Sequence, residues 1–279
     1  MPGCGLEAKE AHGDMGTEKA QPLRVLAEGK MRTLHHHNTR NPALKRIFRF
    51  AGLFLFLLQY PAHAQNVQTI SDWVNYNKYA EADKNLPPLT AGEHRVVFMG
   101  NSITEAWVVL DSSFFTEHGY VGRGISGQTS AQMLLRFRPD VIDLKPTLVV
   151  ILAGTNDIAQ NAGPISIEHV MDNIASMAEL ARANNIHVIL TSVLPAYDFP
   201  WRKGLEPAEK IVRLNAMIKS YCDEHAVPYV DYYSRMVDAR KGLDTKFTKD
   251  GVHPTLEGYK VMEALIQEAI DAALSSTGK

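Results

Sequence analysis

The chain has 279 residues, enough for one large domain or two small ones with a buried core. Apolar residues make up 45% and charged residues 22%, which excludes a disordered, collagen-like or disulfide-stapled protein. The 29 Lys and Arg against 31 Asp and Glu leave no electrostatic footprint for nucleic acid, and Cys4 and Cys222 cannot form a disulfide framework.

In chain order, residues 1–44 are polar and include the triplet His35, His36, His37. Lys45, Arg46 and Arg49 then precede the apolar run Phe50 to Leu58, and Ala62, His63, Ala64 follow. A positive segment, a short apolar segment and an Ala-x-Ala site predict a signal peptide cleaved after Ala64, and hence a periplasmic or secreted protein. Nine apolar residues fall far short of the roughly 20 that span a bilayer. Initiation at Met31 would explain the long polar stretch before the signal, and signal cleavage would place the histidine triplet in discarded chain. Cleavage would leave 20 Lys and Arg against 26 Asp and Glu, a mildly acidic domain with no affinity for anionic lipid and with Cys222 as its only thiol.

Residues 65–90 read as a polar lead-in ending in Pro87 and Pro88, and residues 91–279 as one domain. Apolar runs at Arg95–Met99, Tyr120–Val121, Leu148–Ala153, His187–Leu190 and Pro228–Val230 alternate with helical patterns. The central runs are continuous, as in parallel strands covered on both faces. Between them Ile167, Val170, Met171, Ile174, Met177 and Ala181 share one helical face, as do Ile211, Leu214, Ile218 and Tyr221. A last helix is expected to start at Pro254 and run through Leu256, Tyr259, Met262, Leu265 and Ile266. Five β-α repeats without a break predict a three-layer α/β/α sandwich on a five-stranded parallel sheet. The segment Ala196 to Glu206, rich in aromatics, charge, Pro and Gly, reads as a long loop.

Ligands of open parallel sheets sit beyond the carboxyl ends of the strands, so the residues just after each run are the informative ones. The first run exits into Gly100, Asn101, Ser102, and the third into Gly154, Thr155, Asn156, Asp157. A sharp turn at Gly100 would place Ser102 at a helix N-terminus, where free amides and the helix dipole favour developing negative charge. Taken alone, Ser102 reads as a helix cap rather than a nucleophile, since Ser is a preferred N-cap. Asn156 and Gly127 are ordinary turn residues by themselves. Asp250, three residues before His253, changes the balance: a serine needs a base, and the base needs a carboxylate to hold its tautomer. His94, His118, His169, His187 and His225 lack such a setting and are read as structural or surface residues.

With these four stretches in hand, the chain resembles the SGNH hydrolases, a branch of the GDSL esterase and lipase family, from Arg95 to about Ala272. The resemblance implies a flavodoxin-like fold. Block one, Gly100, Asn101, Ser102, would supply the nucleophile Ser102. Block two, Gly124 to Thr129, would supply the Gly127 amide, and block three, Gly154 to Asp157, the Asn156 side chain. Together with the Ser102 amide these would form an oxyanion hole. Block four, Asp250 to Pro254, would give Asp250 and His253 the supporting triad roles. Asn101 stands where the family usually has Asp, so it can hydrogen-bond locally but brings no charge.

The implied reaction is hydrolysis of a carboxylic ester through an acyl-enzyme, with no metal or organic cofactor. Asn101 and Asp157, the latter beside the oxyanion hole, are expected to contact substrate. Tyr197, Phe199 and Trp201 either stack on a sugar ring or pack their loop onto the domain. Trp107 is expected to face the core or the pocket wall. A small-molecule or glycan ester is the expected partner, most readily O-acetylated carbohydrate, with no nucleic acid and no stable membrane insertion after signal cleavage. The alternatives are a lysophospholipase or thioesterase and, in another class, a carbohydrate- or phosphate-binding module that leaves Asn156, Asp250 and His253 unexplained.

Overall fold

The computed structural model describes residues 69–90 and 92–277; the signal-like segment, the histidine triplet and Cys4 lie outside the described residues. Gln65–Lys279 forms one compact unit. It opens with two short helices, α1 (Ile70–Val74) and α2 (Ala80–Lys84), and then alternates strand and helix. Strand β1 (Val96–Gly100) leads into α3 (Ser102–Leu110) and α4 (Ser112–His118), and β2 (Val121–Gly124) into α5 (Ser130–Leu135) and α6 (Phe137–Asp140). Strand β3 (Leu148–Ile151) is followed by α7 (Thr155–Ile158) and α8 (Ile167–Ala183), and β4 (His187–Thr191) by α9 (Pro207–His225). Strand β5 (Tyr229–Val230), α10 (Tyr233–Met236) and α11 (Leu256–Thr277) complete the chain.

The five strands pair in parallel in the order β2-β1-β3-β4-β5. Alternation along each strand divides the core into two layers. Val97, Met99, Val149, Ile151, Val188 and Leu190 face α8 and α9. Val96, Phe98, Leu148, Val150 and Ile189 face α3, α4 and α11. Both faces are apolar because both are covered, and this produces the continuous hydrophobic runs. The expected stripe of α8 is buried throughout, from Ile167 to Ala181.

Three sequence-based boundaries change. Strand β2 extends through Gly122, Arg123 and Gly124, which carry no apolar signal; Arg123 is tolerated in a buried position because Asp83 pairs with it and its guanidinium lies 4.6 Å from the Tyr79 ring centre. The last helix begins at Leu256, not Pro254: Pro254 is bridged to Thr248, the Thr255 amide donates to the Phe247 carbonyl at 2.7 Å, and the Thr255 carbonyl receives the Tyr259 amide at 2.9 Å. The lead-in is also part of the domain. Val74 is fully buried, its carbonyl accepts from Gln128 Nε2 at 2.6 Å, and the Trp73 carbonyl accepts from Gln132 Nε2 at 2.7 Å.

Trp107 is a core residue. It stacks between Phe114, with centroids 5.5 Å apart, and Tyr259, at 5.3 Å, and its indole N–H donates to Glu263 at 3.0 Å. This aromatic clamp fixes the helix that begins at Ser102 against the C-terminal helix. Trp107→Ala is expected to lower the unfolding free energy by about 3–5 kcal/mol in urea titrations. A loss below about 1 kcal/mol would show that the clamp is not what holds α3.

Candidate active site

Ser102 is the first residue of α3, and Asn101 is its cap: the Asn101 Oδ1 accepts from the Ile103 amide at 3.0 Å. The cap function that a serine could have served is thus taken by its neighbour, leaving the Ser102 hydroxyl for other partners. Gly100 makes the turn without a positive φ; a side chain there would come within 1.9 Å of Thr104 Oγ1, so close approach of α3 to the strand end requires the glycine.

The Ser102 hydroxyl lies 2.9 Å from His253 Nε2, across 151 positions of sequence. His253 Nδ1 lies 2.7 Å from Asp250 Oδ2. A carboxylate can only accept, so Nδ1 carries the ring proton and Nε2 is left to accept from Ser102. The other Asp250 oxygen, Oδ1, accepts from the amides of Val252 at 2.9 Å and His253 at 2.8 Å. Thr248 closes the turn by donating to the His253 carbonyl at 2.8 Å while receiving the Gly251 amide at 3.0 Å. Partial burial pushes the Asp250 carboxyl up, but the hydrogen bonds from the His253 ring and from the His253 and Val252 amides outweigh it and bring its pKa down to about 2.

Opposite the imidazole, Ile125–Gln128 forms a turn closed by the Gln128 amide on the Ile125 carbonyl at 3.3 Å. Gly127 occupies its third position with φ 78°, a conformation that favours glycine. The amides of Ser102 and Gly127 have no partner among the described residues. Asn156 is buried, with its Nδ2 donating to the Gln128 carbonyl at 3.0 Å and one N–H left over. The structure therefore brings Ser102, Gly127, Asn156, Asp250 and His253 to one end of the sheet.

Asn101 and Asp157, expected at the substrate, are turned inward. Asn101 is 1% exposed and spends its oxygen on the cap. Asp157, also 1% exposed, accepts from the Ser130 amide and from its hydroxyl at 2.6 Å. Burial raises its carboxyl above the usual range despite these bonds. The aromatic loop divides in three. Phe199 is fully buried. Tyr197 is exposed under the Arg240 guanidinium and lines a small cleft with Asp250. Trp201 is 45% exposed with its ring 6.1 Å from that of His253. A larger cleft of about 760 Å³ opens beside Asp250 and His253, bounded by Leu110, Lys246, Lys249, Thr255 and Leu256.

The sequence reading missed the supports of the site. Arg136, fully buried, donates to the Gly100 carbonyl at 2.8 Å, to Gln128 Oε1 at 2.5 Å and to Asp140 at 2.6 Å, joining blocks one and two. A lone cation within Met133–Phe137 was the available signal. Glu105 accepts from the Ser126 amide at 2.7 Å and from Lys78 at 2.5 Å, bracing the Gly127 turn from the lead-in side. Among the described residues no cluster of three or more His, Cys, Asp or Glu is placed to hold a metal ion, and no helix is long and apolar enough to cross a membrane.

A parallel α/β/α sheet with these residues at its carboxyl edge defines the class: a carboxylic ester hydrolase. The model of the GDSL-like lipase/acylhydrolase family matches residues 98–261, and the chain belongs to that family, among the SGNH hydrolases. A GDSL-like lipase of Bacteroides thetaiotaomicron is 56% identical over 72% of this chain and 99% of its own, with a TM-score of 0.71. A solved protein of Bacteroides fragilis is 55% identical over 73% of this chain and 99% of its own, at 0.72. Esterase TesA of Pseudomonas aeruginosa is 28% identical over 60% of this chain and 79% of its own.

The lowered Asp250 pKa has a stability consequence. Because the folded value, about 2, lies below the ordinary 3.8, the ionised carboxylate stabilises the fold fully above about pH 4 and this contribution is lost as pH falls towards 2. In urea unfolding measured from pH 5 down to 2.5, Asp250→Asn is expected to flatten the fall in stability across that window. A profile parallel to that of the parent protein would contradict the assignment.

Proposed function

We propose that this hydrolase removes short acyl groups, acetyl foremost, from carbohydrate esters, with Ser102 as nucleophile, His253 as base and then acid, and Asp250 as its orienting carboxylate. Ser102 attacks the ester carbonyl and gives its proton to His253 Nε2; the imidazolium then protonates the leaving alcohol. Water, deprotonated in turn by His253, releases the acyl group and regenerates the serine. The amides of Ser102 and Gly127 and the spare N–H of Asn156 receive the oxyanion, each such donor being worth about 3 kcal/mol of barrier.

The single observation that carries the reading is the 2.9 Å contact of Ser102 with an imidazole whose far nitrogen faces Asp250. Trp201, exposed beside His253, supports a sugar as the leaving alcohol, because an indole face offers a flat apolar platform where that alcohol must depart. A second reading, a longer acyl chain as in a lysophospholipase or thioesterase, draws on the exposed Leu110 and Leu256 at the rim of the larger cleft.

Ser102→Ala is expected to lower p-nitrophenyl acetate turnover at least about ten-thousand-fold while the protein melts as before; retained turnover refutes the assignment. Across p-nitrophenyl esters from acetate to decanoate, kcat/KM is expected to fall with chain length, and acetate to be released from an acetylated oligosaccharide. A maximum at roughly eight or more carbons, the length that Leu110 and Leu256 would favour, selects the second reading.

A further inference from the structure

We propose that Asn161 is a positioning residue of the hydrolytic site, setting which end of the Asn156 carboxamide faces the oxyanion and tying that choice to Trp201. The inference rests on the reading that Asn156 serves as an oxyanion donor. A carboxamide presents an oxygen or an NH2 group depending on a half-turn about its last bond, and only one of the two orientations helps a developing negative charge. With the NH2 end towards the carbonyl carbon's oxygen, Asn156 stabilises it; with the oxygen end there, it repels it.

The orientation is read from groups that have no choice of their own. The Trp201 indole N–H can only donate, and it donates to Asn161 Oδ1 at 3.1 Å. That fixes the Asn161 NH2 on the other side, where it donates to Asn156 Oδ1 at 3.0 Å and to the Gly127 carbonyl at 3.3 Å. The Gln128 carbonyl can only accept, and it takes one N–H of Asn156 at 3.0 Å. Turning Asn156 over would set its oxygen against the Gln128 carbonyl and its NH2 against the NH2 of Asn161, two repulsions in place of two bonds.

Asn161 is itself held in register, since its amide donates to the Asn156 carbonyl at 3.0 Å, and Arg202 from the aromatic loop donates to the Gln160 carbonyl at 2.5 Å. The chain of bonds therefore runs from the loop beside His253 to two of the three oxyanion donors. Asn161 touches no reacting atom in this arrangement and acts only through Asn156 and the Gly127 turn.

The experiment is a cycle of four proteins assayed with p-nitrophenyl acetate: the parent, Asn161→Ala, Asn156→Ala and the double variant, with Ser102→Ala as reference. Asn161→Ala is expected to lower kcat about 10-fold or more with KM within about 2-fold, and to add little further loss in the Asn156→Ala background. Asn161→Asp, which keeps the acceptor for Trp201 but loses both donated bonds, is expected to lose at least as much, and this arm stands even if Asn156→Ala does not fold. Unchanged kcat in both Asn161 variants, or an equal loss in the two backgrounds, overturns the inference while leaving the role of Ser102 intact. Turnover surviving in Ser102→Ala overturns the underlying reading as well.

Discussion

The imidazole of His253 sits between two oxygens that the chain supplies from very different sequence distances, one from Asp250 three residues away and one from Ser102, 151 positions away. The short connection is made by a turn whose own amides fill the rest of the carboxylate. The long one depends on the whole fold, because Ser102 stands just after the end of β1 and His253 in the segment that leads into α11. Whatever displaces β1, α3 or α11 by an ångström alters this contact first. The aromatic clamp of Trp107 between Phe114 and Tyr259, and the Tyr259 hydroxyl donating to the Ile103 carbonyl at 2.8 Å, are the fasteners that keep α3 and α11 in register.

A second constraint acts on the opposite wall of the site. Arg136 is an expensive residue to bury, and a buried cation persists only when its donors are filled. Here the three partners come from the end of β1, the turn after β2 and the helix that follows, so satisfying the guanidinium fixes the spacing of the Ser102 and Gly127 segments. Burial pulls the Arg136 pKa down and the Asp140 carboxylate pulls it back. The helical segment at residues 70–74 adds a third side by capping Gln128, which is why the N-terminal strap belongs to the domain although its composition is that of a linker.

Strand positions and the two long amphipathic helices were legible because continuous apolar runs and the 3.6-residue period reflect burial directly. The residues that meet at the site were legible because their chemistry is costly to explain otherwise: Asp250 and His253 on one turn, and serine after a glycine at a strand end. Four features were not legible, and for distinct reasons. Arg123 and the glycines of β2 hide a strand whose apolar content is supplied by its neighbours. Pro254 looks like a first helical residue but is held by a backbone bridge to Thr248. Asn101 and Asp157 looked like substrate contacts because they adjoin site residues in sequence, whereas α3 and α7 rotate them inward. Asn161 carries no pattern at all, since its role arises from Trp201, forty residues later and on another loop.

The proposed role of Ser102 as an activated nucleophile is tested most directly by covalent labelling. Treating the folded protein with a fluorophosphonate and mapping the adduct by peptide mass should give one modified residue, Ser102, at a rate that collapses in His253→Ala. A folded protein that takes up no label at Ser102, or labels at the same rate without His253, would contradict it.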